Sequence, residues 1–588
     1  MIAILTDRPN VGKELARIVG AYRPENGFMS GSGYIVTWTF GNMLSLAMPK
    51  DYGPARLGED DFPLVPERFR LMVKHVKTEN GWIPDASAVK QLKVLERVLA
   101  KCDTIIAATD ASRDGEMAFR YLYSYLGCTQ PVKRLWITSL TDEAVRHGMA
   151  NLSDMAAQDG MFKASDCRNK ADWLLGVNAC YAICKATGLG NHSLGRVQTP
   201  VLAEICARYR KREAHTAADT WPVFINMHKD GLPLRMRCAD EPLDRETAAA
   251  LHSACRTAGT ATVSSVERST EDIPPPLPYN LTELQKDANR RYGLTAEQVH
   301  DAAQGLYEKK LITYPRTAGR HIPHDVLATL PHIMERLSRK KELGEYLKAA
   351  GIVLCGLPKG ISGQGKGSGH HAIIATGVYP DELDKDEMRL YAMVLGRMIE
   401  AFMPPCRVER TAVEAVCSGR TFRAEAYRIV EKGWHGIAGH VPDVIPPGAV
   451  IAELPSLETG EALGISACST AHRKGLPPSP YTDAELVGFM DRHGLGTAAT
   501  RPAILRTLVD RKYVRNSGGY IIPTPKGLFV YETVKGMKIA DAALTSDWEM
   551  HLDGIERGTV SPKDFLDMAA GLAAEVTEDI FRRYRRGA

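Results

Sequence analysis

No two of the 12 cysteines stand in a C-x-x-C pair; they are scattered singly, as at Cys102, Cys128, Cys167 and Cys238. Zinc ribbons and disulfide frameworks both need patterned spacing, so reduced thiols in a reducing compartment and no zinc are expected. No run approaches the ~20 apolar residues that cross a bilayer, so no membrane partner is expected. The opening MIAILTDRPN lacks the basic stretch and apolar core of a secretory signal, and a cytoplasmic location is the expectation. No fixed period repeats, which argues against a solenoid. Charge of one sign is not in excess either: 74 Lys and Arg against 70 Asp and Glu leave +4. Bulk charge therefore does not decide the partner, and local clusters must. Two clusters stand out, ARYRKRE at 207–213 and RRYRR at 582–586. Each is open to two readings, a phosphate-binding patch or a solvated helix face or tail.

What is present is a chain of 588 residues, 44% hydrophobic and 24% charged, long enough for several domains with substantial cores. The first 150 residues alternate apolar strands with helical periods, the pattern of an open α/β sheet. MIAILT precedes a helix at Val11 to Tyr22; KQLKVLERVLAKC leads into TIIAAT at 104–109; the helix GEMAFRYLYSYLG and the strand VKRLWIT follow. In such sheets function gathers at the carboxyl ends of strands, which singles out Asp7 and Asp110. Residues 151–213 read as helical. Residues 214–275 read as short strands such as TWPVFINMH and LPLRMRC, closed by the hinge-like DIPPPLP at 272–278. Residues 279–400 return to helices, 402–466 to strands, and the final stretch to helices. Strand-rich segments thus flank a helical block on both sides, as if one β domain were built from two pieces of chain.

Four constellations bear on chemistry. In ATDASRDGE at 108–116, Asp110, Asp114 and Glu116 crowd just after a strand. Hard oxygen ligands so placed suit Mg²⁺, although an acidic helix start is favoured by the helix dipole anyway. In LITYPRT at 311–317, Arg316 is placed to stabilise a Tyr314 phenolate and an attacked phosphate, but an aromatic beside proline is usually a packed turn residue. His370 and His371 follow a glycine-rich run, where an imidazole of ordinary pKa near ~6.5 can hold a phosphate oxygen or relay a proton. That run, GISGQGK from Gly360, nearly matches a P-loop, but Gly367 stands where Ser or Thr must ligate Mg²⁺, so no ATP is expected.

In order along the chain, these pieces resemble the type IA DNA topoisomerases, most closely the bacterial topoisomerase III branch. Thr6-Asp7-Arg8-Pro9-Asn10 is similar to the family's opening Glu-Lys-Pro-Ser element, and Asp110 to Glu116 to its Asp-Pro-Asp-Arg-Glu-Gly-Glu stretch. RLWITSLT at 134–141, SLGRVQTP at 193–200 and LQKDANRRYGLTAEQVHDAAQGLYEKKLITYPRT at 284–317 resemble further hallmarks. HHAIIAT at 370–376, GLGTAATRPAIL at 494–505 and IIPTPKG at 521–527 complete a series covering nearly the whole chain.

The resemblance implies a multidomain α/β plus α+β fold around a central hole. It assigns an N-terminal Toprim domain to 1–150 and a helical DNA-binding domain to 151–213 and 482–588. A β-rich arch takes 214–278 and 402–481, and a helical domain bearing Tyr314 takes 279–401. It further implies ATP-independent, Mg²⁺-dependent cleavage of one DNA strand through a 5′-phosphotyrosine, with strand passage and religation relaxing negative supercoils or decatenating DNA. Tyr314, Arg316, Asp7, Arg8 and His370 take catalytic places, and Asp7, Asp110, Ser112 and Asp114 the metal site. Arg113, Ser193, Arg196, Gln198, Thr199, His371, Thr497, Thr500 and Arg501 take DNA-binding places. The partners implied are single-stranded and negatively supercoiled DNA, with a monomer working in the bacterial cytoplasm or nucleoid. The sequence departs from the family pattern at Asp7 (for Glu), Ser112 (for Asp) and Asp114 (for Glu), which implies weaker Mg²⁺ affinity, and at Arg8 (for Lys), which bears on the proton that the leaving 3′ oxygen needs. Two other readings stay open: a Toprim metal-dependent nuclease, which has no need of Tyr314, and a slow or non-catalytic DNA clamp, which Ser112 favours.

Overall fold

The structure is a computed structural model; it describes all residues except 53–57, 80, 138–139, 191, 241, 340–370, 381, 437–444, 447–449 and 586–588. Four parallel strands, Val132–Arg134, Thr104–Ala107, Ile2–Thr6 and Tyr34–Trp38, form the centre of an N-terminal sheet. Antiparallel strands extend both edges. The central strands are apolar on both faces because both are covered. Ile4 and Ile106 face helix Pro9–Val19 through Val11 and Leu15, whereas Ala3, Leu5, Ile105 and Ala107 face Leu92, Leu95, Phe119 and Leu122 of helices Ala86–Leu99 and Arg113–Tyr125. Leaving Ile2–Thr6 the chain moves to one neighbour, and it later returns to the other. The order therefore reverses between Ile2–Thr6 and Thr104–Ala107, and the crevice at their carboxyl ends is where such folds bind ligands.

The strand-rich segments on the two sides of the helical block form one sheet. Strands Leu232–Cys238, Val223–Lys229, Ala462–Thr470, Thr260–Ile273, Cys406–Cys417 and Arg420–Glu431 pair in that order, and a further pairing of the first with the last closes the ring. Its interior is filled by Val223, Ile225, Met236, Val263, Val413 and Phe422. The stretch read as strands alone also contains the helix Arg245–Ala258, capped by Asp244 and packed into the same core through Leu251 and Cys255. The last segment likewise includes a hairpin, Val514–Ser517 with Tyr520–Pro523, among its helices.

Helix Asp159–Thr187 packs against helix Pro562–Arg585, which unites two distant segments around Trp173, Leu174, Trp548 and Phe565. The block 279–400 shares one apolar cluster with the face of the N-terminal sheet that carries helix Pro9–Val19. Among the described residues, no helix is long and apolar enough to cross a membrane.

Candidate active site

Two strand ends and one turn supply the site. Asp7 and Arg8 leave strand Ile2–Thr6, and Arg8 is the N-cap residue of the helix that Pro9 opens. Asp110 leaves strand Thr104–Ala107 in a loop held from beneath by buried Arg134. That guanidinium donates to the carbonyls of Ala107 (2.9 Å), Leu135 (2.8 Å) and Asp110 (2.7 Å) and pairs with Glu116 at 3.1 Å. Glu116 is 0% exposed and also binds Arg120, so this member of the acidic segment braces the loop and faces away from the crevice. Gly115 is required here by close approach: a Cβ on it would lie 2.1 Å from the Asp110 carbonyl oxygen. The Ser112 hydroxyl caps the following helix, accepting from the Gly115 amide at 3.2 Å.

Tyr314 and Arg316 come from the helical block and meet Asp110 across the boundary. The Tyr314 hydroxyl donates to Asp110 Oδ2 at 2.7 Å, and Arg316 Nη1 donates to the same oxygen at 3.3 Å. Tyr314 is 3% exposed, with its ring edge-to-face against Tyr307. Burial first, and then the Asp110 charge, hold its phenol well above the ordinary value, against the pull of Arg316. Buried Arg316 Nε has no hydrogen-bond partner among the described residues.

Beside this trio lies an open cavity of about 640 Å³ lined in part by Asp7, Arg8, Asp110, Asp114, Glu308 and Arg316. Burial and the Asp110 charge push the Asp7 carboxyl up to about 7. Two carboxylates crowded this way fit a hard divalent cation, which Mg²⁺ accepts with only one or two protein ligands and several waters. Asp114 is turned to Arg168, and Ser112 is engaged as the cap, so the fit rests on Asp7 and Asp110. Among the described residues no group of three or more His, Cys, Asp or Glu is gathered closely enough to hold a metal.

The structure brings Asp7, Arg8, Asp110, Asp114, Tyr314 and Arg316 together. His370 lies outside the described residues, as does the glycine-rich run before it; His371 is half-buried, with Nδ1 2.7 Å from the Ala372 carbonyl. Several residues expected on DNA make contacts within the protein. Arg113 is pinned to Asp553 and Glu556 at 2.6 Å each. Arg196, 5% exposed, pairs with Asp172 at 2.7 Å and lies over Trp548, and Arg501, also 5% exposed, binds Asp491 at 2.7 Å and Thr282 at 2.8 Å. Buried Thr199 accepts from the Gly195 amide at 2.9 Å, while Thr497 and Thr500 bond each other at 3.1 Å on the surface. Gln198 reaches Ser193 at 3.3 Å. Glu308 was missed by sequence reasoning. It accepts from Asn10 at 2.9 Å and from Arg8 at 3.3 Å, tying the two sides of the crevice, and its signal was a carboxylate just upstream of the tyrosine turn.

A family model described as DNA topoisomerase matches residues 156–567, and a Toprim domain model matches residues 3–140. The chain belongs to the DNA topoisomerase family. This topoisomerase is 30% identical to DNA topoisomerase 3 of Bacillus licheniformis over 98% of the chain and 81% of that protein. It is 29% identical to DNA topoisomerase 3 of Bacillus subtilis over the same shares. Its fold matches full-length topoisomerase I from Thermotoga maritima with a TM-score of 0.74, covering 98% of this chain and 90% of that one at 20% identity. It is thus an isomerase acting on DNA, of the type IA class and topoisomerase III-like, with a Toprim domain at its N-terminus. The expected architecture, with helical domains and a β-rich arch about a central hole, is the one the topoisomerase adopts.

Proposed function

We propose that this topoisomerase cleaves one DNA strand by attack of Tyr314 on a backbone phosphate, forming a 5′-phosphotyrosine, and reseals it without ATP. The observation that carries this reading is the Tyr314 hydroxyl 2.7 Å from Asp110, with Arg316 on the same carboxylate at the edge of the cavity. As the phenolic oxygen bonds to phosphorus, its proton passes to Asp110 and the phosphorus–O3′ bond breaks. Asp7, whose carboxyl is pushed up to about 7, keeps a proton to give to the leaving 3′ oxygen. That role suits it better than Arg8, because a guanidinium with a pKa above ~12 is a poor proton donor. Arg8 instead offers a planar fork to the phosphate. Arg316 Nε, buried without a partner, supplies a further donor to the phosphate as its charge grows. The covalent ester conserves the bond energy for religation. Asp7, once its proton has gone to the leaving oxygen, and Asp110, once the phenolic proton has passed on to solvent, would hold Mg²⁺, which when bound supplies positive charge beside the 3′ hydroxyl. Ser112 removes a carboxylate from that site and weakens it.

The division into domains at 1–150, 151–213 with 482–588, 214–278 with 402–481, and 279–401 is part of the same reading. Strand passage needs the block bearing Tyr314 to leave the Toprim face, hinging near Pro274 to Pro278, since a buried Tyr314 is out of reach of DNA. Ser193, Gln198, Thr497, Thr500 and His371 line the path of single-stranded DNA, and Arg113, Thr199, Arg196 and Arg501 shape it from behind. His370 contacts the phosphate. The protein acts on negatively supercoiled DNA as a monomer in the bacterial cytoplasm.

The test is a 5′-phosphate trap. An oligonucleotide labelled on the 3′ side of the break, incubated with protein and Mg²⁺ without ATP, should run with the protein on a denaturing gel, and Tyr314→Phe should abolish that band. Cleavage that persists in Tyr314→Phe makes the protein a Toprim nuclease. Binding without any cleavage makes it a clamp.

A further inference from the structure

Most arginines of the two basic clusters conspicuous in the sequence are engaged with the protein itself. Arg210 pairs with Glu213 and Glu532, Arg208 lies over the Tyr481 ring at 3.6 Å, and Arg212 donates to the Pro478 carbonyl. Arg582 pairs with Glu578 and Asp579, Arg583 binds the carbonyls of Glu532, Thr533 and Lys535, and Arg585 reaches Glu59. A different cation group sits around the hairpin Val514–Ser517 and Tyr520–Pro523, where Arg511, Lys512 and Arg515 are exposed. None of these three makes an ion pair or side-chain hydrogen bond among the described residues.

Lys526, at the start of helix Pro525–Val534, is drawn into the group by donating to the Arg511 carbonyl at 3.1 Å. Burial and the charges of Arg511 and Lys512 hold its ammonium below the ordinary value, as neighbouring like charges do. Close by, His192 is 7% exposed, its ring 5.4 Å from that of Phe529 on the same helix, and its buried Nδ1 has no partner among the described residues. Burial first, and then the Lys526 charge, hold its imidazole below the ordinary value. Lone cations are ordinary on surfaces; three exposed cations without ion pairs among the described residues, gathered around one hairpin beside a helix N-terminus, are matched to an anion.

The group is continuous with the path proposed for the strand. Tyr513, whose ring lies 5.2 Å from the Lys526 ammonium, accepts from the Ser193 amide at 2.6 Å and donates to the Ser193 carbonyl at 3.1 Å. Tyr520, 41% exposed on the hairpin, offers a face on which a base can stack.

We propose that Arg511, Lys512, Arg515 and Lys526 form a second phosphate-binding site. It extends the single-strand path beyond Ser193 and holds the backbone of DNA leading away from the cleavage point. The inference rests on the proposed path of the strand. It predicts that long strands bind more tightly and more salt-dependently than short ones, because each phosphate neutralised releases counterions.

The probe is fluorescence anisotropy of labelled single strands of about 8 and about 30 nucleotides, titrated across salt, chosen to span one or several such sites. The protein is Tyr314→Phe, so that nothing is cleaved. Adding Arg511→Ala, Lys512→Ala and Arg515→Ala should lower the salt slope by about 2 on the long strand, at ~0.7 per phosphate contact. The fall should be absent on the short strand. If the triple variant melts earlier than its parent, Arg515→Ala alone should lower the slope by about 0.7. Equal slopes on the long strand for parent and variants overturn the proposal. So does an unchanged DNA slope joined to lost binding of a glutamate-rich peptide, which assigns the surface to an acidic protein partner. Failure of the proposed cleavage shows separately, as a missing covalent band with the wild-type protein.

Discussion

The same three side chains meet twice in this topoisomerase. At the crevice, Tyr314 and Arg316 both donate to one oxygen of Asp110, at 2.7 and 3.3 Å. Inside the helical block, Tyr279 and Arg397 both donate to one oxygen of Asp287, each at 2.9 Å. Both tyrosines are buried, and both phenols are held above their ordinary value by burial first. The difference lies in whose residues they are. The inner trio belongs to helices Leu281–Tyr292 and Lys385–Glu400 and the chain just before them, so it stays closed whenever the block is folded. The outer trio joins the Toprim domain to the block, next to an open cavity, so a separation of the two exposes every member at once. On the proposed mechanism, what sets Tyr314 apart is its place on a boundary between the Toprim domain and the helical block, because its immediate partners do not distinguish it.

The sharpest break in that comparison is Tyr314→Phe. Loss of the nucleophile should lower strand cleavage by at least about 10⁴-fold, read as covalent adduct, with a stability loss of no more than about 1 kcal/mol, the net worth of one hydrogen bond. The inner trio should answer in the opposite currency. Arg397→Ala removes the buried cation that Asp287 and Glu400 share and should cost about 3–5 kcal/mol of stability in urea unfolding. Arg316→Ala should return the effect to chemistry, slowing cleavage by about 10²–10³-fold, as loss of one charge-stabilising donor does, with little change in the urea midpoint. A large stability loss at Arg316 would erase the distinction.

The outer trio was legible in the sequence and the inner one was not, for a physical reason. Asp110 follows a doubly buried strand, which local pattern marks, and Tyr314, which beside a proline reads locally as a packed turn residue, was singled out by the resemblance of its segment to the family's. Tyr279, Asp287 and Arg397 carry no local mark, because their meeting depends on how two helices dock. Leu232–Cys238 was read correctly from its alternation of apolar and polar residues, yet its pairing with Arg420–Glu431, which closes the sheet, joins residues too distant for any local pattern to report. Arg196 and Arg501 took DNA-binding places through the motifs they sit in, and sequence could not show that each is buried and paired with a carboxylate of the protein. Helix Arg245–Ala258 was overlooked beneath its strand-rich neighbours, although AAALHSAC is helix-forming in composition.

Glu400 refines the inner side. Burial, outweighing the Arg397 charge, pushes its carboxyl from 4.5 up to about 7. A carboxyl whose folded value lies above its unfolded one contributes stability that is complete below about 4.5 and is lost as pH rises through about 7. Wild-type stability should therefore fall across that window by as much as ~3 kcal/mol relative to Glu400→Gln, whose pH profile should be flatter. Parallel profiles would show that the pair is ionised throughout.

The smallest effect tests the comparison most directly. Tyr279→Phe makes the same chemical change as Tyr314→Phe, one buried hydroxyl removed from one aspartate. Asp287 keeps Arg397 at 2.9 Å and Arg290 at 3.5 Å, so no charge is left unanswered and the loss should be about 1 kcal/mol, the net worth of one hydrogen bond. Cleavage per folded molecule should match wild type. If Tyr279→Phe slowed adduct formation tenfold while costing no stability, the inner trio would be coupled to the gate, and the boundary would not suffice to explain why only Tyr314 reacts.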